Sequence, residues 1–363
     1  MKKSVILLTA AILWNAMLMA GNPDRAGQAG ATELLVNPWA RSSGWFGANA
    51  ASITGIESMH LNVAGLAFTK KTEVVFAHTN WLGGSGIGIN TAGIAQKIGE
   101  TSTLGISVMS MSFGEIPITT FDLPDGGIGN FKPNYLNIGV SYAKAFSNSI
   151  YGGVTVKIVS QNIANLKAGG FCFDAGIQYV TTLGDRTKEL KKNNLRFGIA
   201  LRNVGPTMSF SGDGMSLNGT VNATGSSMTL EQRSGNFELP SLLSIGLTYV
   251  QRFNPQHSIN FSGTFTSNSF SNDNIAGGLE YNWKGLLMLR GGYNYQNGIS
   301  NNEIARIAYM GPSAGATIEV PITKSRTTDD GKTKGGMTFG IDYSYRATHN
   351  FGGIHAFGAR INL

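Results

Sequence analysis

Side chains that commonly carry chemistry are few and scattered in this chain. There are five histidines, His60, His78, His257, His349 and His355, and one cysteine, Cys172. None stands at the spacing of a metal centre, so no metal and no other cofactor is expected. A single cysteine excludes an intrachain disulfide, and Cys172 reads as a small residue inside a strand. Neither a phosphate-cradling glycine loop nor a nucleophile elbow occurs. Ser241 and His257 would be a nucleophile and a base, but no third group is placed to orient them, so no enzymatic activity is expected.

The remaining chemistry is charge. Lys157, Asp174, Arg196, Arg202, Glu280, Arg290, Arg306, Asp342, Arg346 and Arg360 all fall on the same face of alternating segments. Such a set either lines an anion-selective pore or pairs off inside a filled interior. The filled interior is favoured, because a barrel of intermediate size with about fifty residues ahead of it can hold a plug.

Strands must present these residues. Charged residues make up only 13% of the 363, about half the share in a soluble domain. Glycine is abundant at 49 residues and aromatics reach 10%, yet the mean hydropathy is −0.02. After the N-terminus there is no apolar run of about 18 residues that would span a bilayer as a helix. Such a chain can hide its apolar residues in a membrane only as a closed barrel, whose backbone groups are all paired. From Glu73 onward the pattern has period two. Leu136, Ile138, Val140 and Tyr142 alternate with Asn137, Gly139, Ser141 and Ala143. Met337, Phe339, Ile341, Tyr343 and Tyr345 alternate with Thr338, Gly340, Asp342, Ser344 and Arg346. About fourteen such segments run from 73–81 to 352–363, among them 150–160, 170–183 and 303–320.

The expected organisation is therefore a signal peptide over 1–20, a plug with short helices over 21–72, and an all-β antiparallel transmembrane barrel over 73–363. Lys2 and Lys3, the apolar Val5–Leu13 and the small pair Ala20-Gly21 carry the first of these. With the N-terminus taken as periplasmic, odd-numbered links are external, and the two longest, 115–134 and 205–239, are both odd. Two periplasmic links, 184–193 and 321–335, are long and basic. They read as solvated turns beside phospholipid headgroups, or else as a docking site for a periplasmic partner. At the C-terminus Phe357, Gly358, Ile361 and Leu363 stand at the spacing of an outer-membrane insertion signal. The location this implies is integral, in the outer membrane of a Gram-negative bacterium.

The external links are unusually apolar for segments facing water. Phe121, Leu123, Pro124 and Phe131 in one, and Met208, Phe210 and Met215 in the other, are candidates for partner contact. The competing reading folds these loops inward as a cap over the barrel.

Several short motifs add a resemblance. Asn62-Val63-Ala64-Gly65-Leu66 looks like the Asn-Pro-Ala-Gly-Leu element of FadL-like barrels, with Val63 in place of proline. Gly30-Ala31-Thr32-Glu33-Leu34-Leu35, Trp39-Ala40-Arg41-Ser42-Ser43-Gly44, Leu201-Arg202-Asn203-Val204-Gly205-Pro206 and Phe210-Ser211-Gly212-Asp213-Gly214 resemble the PorV/PorQ family of the type IX secretion system in Bacteroidota, more the PorV branch. The resemblance implies a non-enzymatic barrel that binds the C-terminal signal domain of exported cargo. It implies two further partners, the type IX translocon barrel and the sortase complex that attaches cargo at the surface. The alternative is a FadL-like transporter of hydrophobic small molecules. Membrane lipid is a partner in either case, and nucleic acid in neither.

Overall fold

The computed structural model of the protein describes residues 21–185, 187–221, 225–301, 305, 307–323, 326–327, 333–334 and 336–363. The expected signal peptide lies outside these residues, as do Arg186, Arg306, Lys324 and Lys332.

Fourteen strands form one closed antiparallel barrel. They are β1 (Thr72–Trp81), β2 (Ile87–Ile98), β3 (Ser102–Ser112), β4 (Asn134–Ala145), β5 (Ile150–Ile163), β6 (Leu166–Thr181) and β7 (Leu195–Val204), followed by β8 (Leu242–Asn254), β9 (His257–Asn268), β10 (Asn274–Trp283), β11 (Leu287–Gln296), β12 (Tyr309–Pro321), β13 (Thr338–Thr348) and β14 (Ile354–Asn362). Each pairs with its sequence neighbours, and β1 closes on β14 from Glu73↔Asn362 to Asn80↔His355. Closure leaves no strand edge to meet lipid. The period-two pattern sets the two faces. In β1, Val75, Ala77 and Thr79 are buried inward while Val74 and Phe76 are exposed outward. Gly340, Asp342, Ser344 and Arg346 of β13 likewise point in.

Two expected boundaries move. The link expected over 161–169 is only Ala164-Asn165, because β5 and β6 continue pairing through Asn162↔Lys167 to Ile163↔Leu166. Polar residues at this rim interrupt the apolar alternation without interrupting the ladder, and Ala164 takes a left-handed φ of 50° with no glycine to signal it. The segment expected to start at 303 pairs only from Tyr309, and part of 302–306 lies outside the described residues.

Links 99–101, 146–149, 255–256 and 284–286 cluster at one end, while 113–133 and 205–241 stand at the other. Short periplasmic turns and long external loops orient the barrel. Each long external link contains a small hairpin, Ile116–Pro117 with Asn130–Phe131 in one and Ser216–Val221 with Ser226–Glu231 in the other.

The segment ahead of β1 runs through the barrel from one end to the other. At the external mouth the Gly21 amide donates to Asp273 Oδ2 at 2.6 Å and the Gly30 amide to the Glu238 carbonyl at 3.0 Å. The chain then descends through α1 (Ala40–Ser43), α2 (Ser58–Leu61) and a 3₁₀ turn over Val63–Phe68, and reaches β1 at the periplasmic rim. The described segment thus starts at the external mouth, whereas the sequence reading takes the N-terminus as periplasmic. The parity of the links is unaffected, because β1 itself starts at the periplasmic rim.

Glycines on the inner wall seat this segment. A Cβ on Gly198 would stand 2.7 Å from Ala51 Cα, and one on Gly292 would stand 2.5 Å from the Trp45 carbonyl oxygen. Part of the high glycine content thus answers a packing requirement: the plug backbone lies too close to the wall for side chains. Trp39, Ile56, Met59 and Leu66 fill the remaining space against Val75, Ala77, Ala95 and Ala143.

Candidate functional site

The inward charges are mostly paired. Arg360 of β14 meets Glu57 of the plug, Glu73 at 3.2 Å and Asp342 at 3.2 Å. Glu57 and Glu73 also accept the backbone amides of Ser42 and Ile56, each at 2.8 Å. Arg290 Nε donates to Glu280 Oε2 at 2.9 Å and its Nη2 to Thr317 Oγ1 at 2.6 Å, and Thr317 in turn donates to Asp342. One network therefore spans β10 to β14, continues onto β1 and grips the plug. Lys157 pairs with Asp174, whose Oδ1 accepts the Asn203 amide at 2.7 Å. Asn203 sits at a bulge with φ 59°, so the Leu201–Pro206 motif serves to turn β7 out of the sheet. In the Asn62–Leu66 motif, Asn62 caps the following 3₁₀ turn through Ala64 N and donates to the carbonyls of Ala50 and Ile177. Val63 occupies the proline position without loss of that cap.

The plug separates two cavities. The external one, about 160 Å³, is lined by Leu35, Phe46, Leu61, Leu242, Ile307 and Tyr309 together with Asn37, Asn294, Arg202 and Arg346. Its arginines fasten the plug, although Arg202 Nε and Arg346 Nε are buried without a hydrogen-bond partner among the described residues. Arg202 donates to the His60 carbonyl at 3.0 Å, and Arg346 to the Asn37 carbonyl at 3.2 Å and the Tyr309 hydroxyl at 3.3 Å. His60 also lines this cavity. The periplasmic cavity, about 320 Å³, is lined by Arg41, Arg196 and Arg252 with Asn49, Ser52, Asn260 and Asn282. Beside it, at the closing seam, a wider recess of about 1070 Å³ is bounded by Arg41, Lys70, Lys71, Glu319 and Leu363.

The partner-contact candidates divide. Phe121 is fully exposed at 100%, Leu123 and Pro124 are exposed, and Phe131 is half-buried in its hairpin. Met208 is buried beneath the other loop against Cys172, Leu34 and Leu239, with Phe210 and Phe237 over it, and Met215 is half-buried. One external loop therefore presents its apolar residues, while the base of the other caps the barrel and its hairpin leaves Leu217, Met228 and Leu230 exposed. Phe357 and Ile361 lie on the outer face, Leu363 stands at the rim beside the seam recess, and Gly358 points inward at Ala40. Ser241 and His257 are at opposite ends of the barrel, bonded to Ser269 and Tyr281. Of the two basic periplasmic links, Lys188, Lys191 and Lys192 are solvent-exposed.

Two cavity arginines had escaped the sequence reading. Arg252 continues the inward series Thr248, Val250 at a strand end, so its register could have revealed it. Arg41 lies in the plug, where no period operates.

No family model and no curated sequence matches the chain. Solved structures do. The chain is similar to the Pseudomonas putida toluene transporter TodX, with a TM-score of 0.53 and 13% identity over 89% of this chain and 96% of that one. It is also similar to the Ralstonia pickettii toluene transporter TbuX, with a TM-score of 0.48 and 12% identity over 94% and 97%. A Pseudomonas aeruginosa FadL homologue gives 0.49 and 12% over 90% and 96%. At such identity the likeness is one of fold. The chain is an integral outer-membrane protein with a fourteen-stranded, FadL-like barrel.

Proposed function

We propose that this barrel carries hydrophobic small molecules across the outer membrane, receiving them in the external cavity above the plug. The cavity itself carries the reading. Its volume of about 160 Å³ matches a void of about 150 Å³ that accepts benzene when lined by apolar side chains. Leu35, Phe46, Leu61, Leu242, Ile307 and Tyr309 supply apolar surface, and a polar side of asparagines, Gln296 and the two arginines would orient the guest. TodX, which shares the fold, is a toluene transporter. The two cavities share no lining residue, so onward passage requires the plug to rearrange. Saturation-transfer NMR of toluene with the purified barrel tests this. Leu35→Trp, which fills the cavity from a partly exposed position, should abolish the signal. Equal transfer in both proteins removes the cavity from the pathway.

A second reading, a type IX shuttle that takes cargo signal domains from the translocon barrel to the sortase complex, has one observation in its favour. Phe121 stands wholly in water and Leu123 is exposed beside it on an external hairpin. Recovery of cargo with the purified barrel, with and without Phe121→Ser/Leu123→Ser, discriminates the two. Undiminished recovery by the double variant ends the case for this loop.

A further inference from the structure

We propose that the periplasmic cavity is an oxyanion site, taking a phosphate or carboxylate group between Arg196, Arg252 and Arg41. The argument begins with an imbalance of partners. Glu57 and Glu280 also line this cavity, but they are already paired with Arg360 and Arg290. None of Arg41, Arg196 and Arg252 forms a salt bridge with a described residue. Arg196 Nε is buried without a hydrogen-bond partner, and the guanidinium rests over the Phe68 ring at 5.3 Å. Arg252 is aimed rather than neutralised: its Nη1 donates to the Lys192 carbonyl at 2.8 Å and more weakly to the Leu190 carbonyl at 3.4 Å. Arg41 Nη2 has only the sulfur of Met288, a poor acceptor, at 3.3 Å.

Three half-buried guanidinium groups share this space without a carboxylate of their own, and partly desolvating like charges side by side is unfavourable. A bound anion removes that cost. The guanidinium fork suits the paired oxygens of a carboxylate or phosphate. Asn49, Ser52, Ser258 and Asn282 supply neutral polar groups around the same space. The wall residues here face the lumen, so the occupant is a soluble ion and not a lipid headgroup in the bilayer. The site goes beyond carriage of uncharged hydrophobes and does not depend on it.

The test is the ³¹P linewidth of inorganic phosphate titrated with the folded, full-length barrel in nonionic detergent, with acetate as competitor. Saturable broadening, reversed by acetate, is expected. Arg196→Gln and Arg252→Gln should each weaken it at least tenfold. Arg196→Lys should retain most of it, and Lys284→Gln, on the same rim but outside the cavity, should leave it unchanged. Heat-modifiable migration verifies folding, and if Arg196→Gln does not fold, Arg252→Gln and Arg196→Lys carry the comparison. No broadening by the unaltered protein, or equal broadening by the glutamine variants, overturns the proposal. Anionic phospholipid that co-purifies with the protein and is lost in Arg252→Gln, without phosphate broadening, would make the occupant a lipid headgroup and equally overturn it.

Discussion

The two cavities use the same side chain in opposite ways. Above the plug, Arg202 and Arg346 are bonded to plug carbonyls and act as fasteners. Below it, Arg41, Arg196 and Arg252 line a larger space with no carboxylate joined to them. A count of inward charges therefore says little about what a lumen binds. What each charge already touches says more: Arg202 and Arg346 hold plug backbone, whereas none of the three below donates to a plug carbonyl among the described residues.

Removing a committed charge should have the largest effect. Arg360→Met leaves Glu57, Glu73 and Asp342 facing one another in a buried site. A loss of about 3–5 kcal/mol is expected, measured as a shift in the urea midpoint of heat-modifiable migration. A shift no larger than that of a surface variant would mean that water reaches the network and that the contrast between fastened and free arginines is not real. Next in size is Gly198→Val at the seat between the cavities. Its Cβ meets plug backbone, so overpacking of about 1–3 kcal/mol is expected. Planar-bilayer recordings should show higher conductance, since a displaced plug joins the two spaces; unchanged conductance would leave the separation to other contacts.

Smallest of all is Phe121→Ser/Leu123→Ser. On an exposed hairpin it should change stability by no more than about 0.5 kcal/mol, and a larger loss in the same urea assay would show that this loop also caps.

Much of the wall was legible in the sequence, because lipid outside and a filled lumen inside impose opposite demands on alternate residues. Leu136, Ile138, Val140 and Tyr142 against Asn137, Gly139, Ser141 and Ala143 need no structure to be sorted. The plug was not legible in the same way. Its contacts join residues as far apart as Gly21 and Asp273, and no period records which carbonyl an asparagine such as Asn62 will meet. The external loops were legible in composition but not in direction. Phe121 and Met208 look alike in sequence, yet one stands in water and the other lies under a cap, because Met208 follows the bulge at Asn203 that folds its loop back over Cys172.

The path of the plug has a kinetic consequence. The segment is fixed at the external mouth by Gly21 and Arg25, crosses the lumen, and becomes β1, one side of the seam that closes the wall. It is a rope held at both ends, not a door on a hinge. Once β1 and β14 are paired the wall is closed around it, so parting that seam is the direct way to release it. Withdrawal before the seam parts would drag some fifty residues past the glycine seats. The persistence of the folded barrel should thus be governed by the rate at which one strand pair separates, and it should outlast what its equilibrium stability alone would allow.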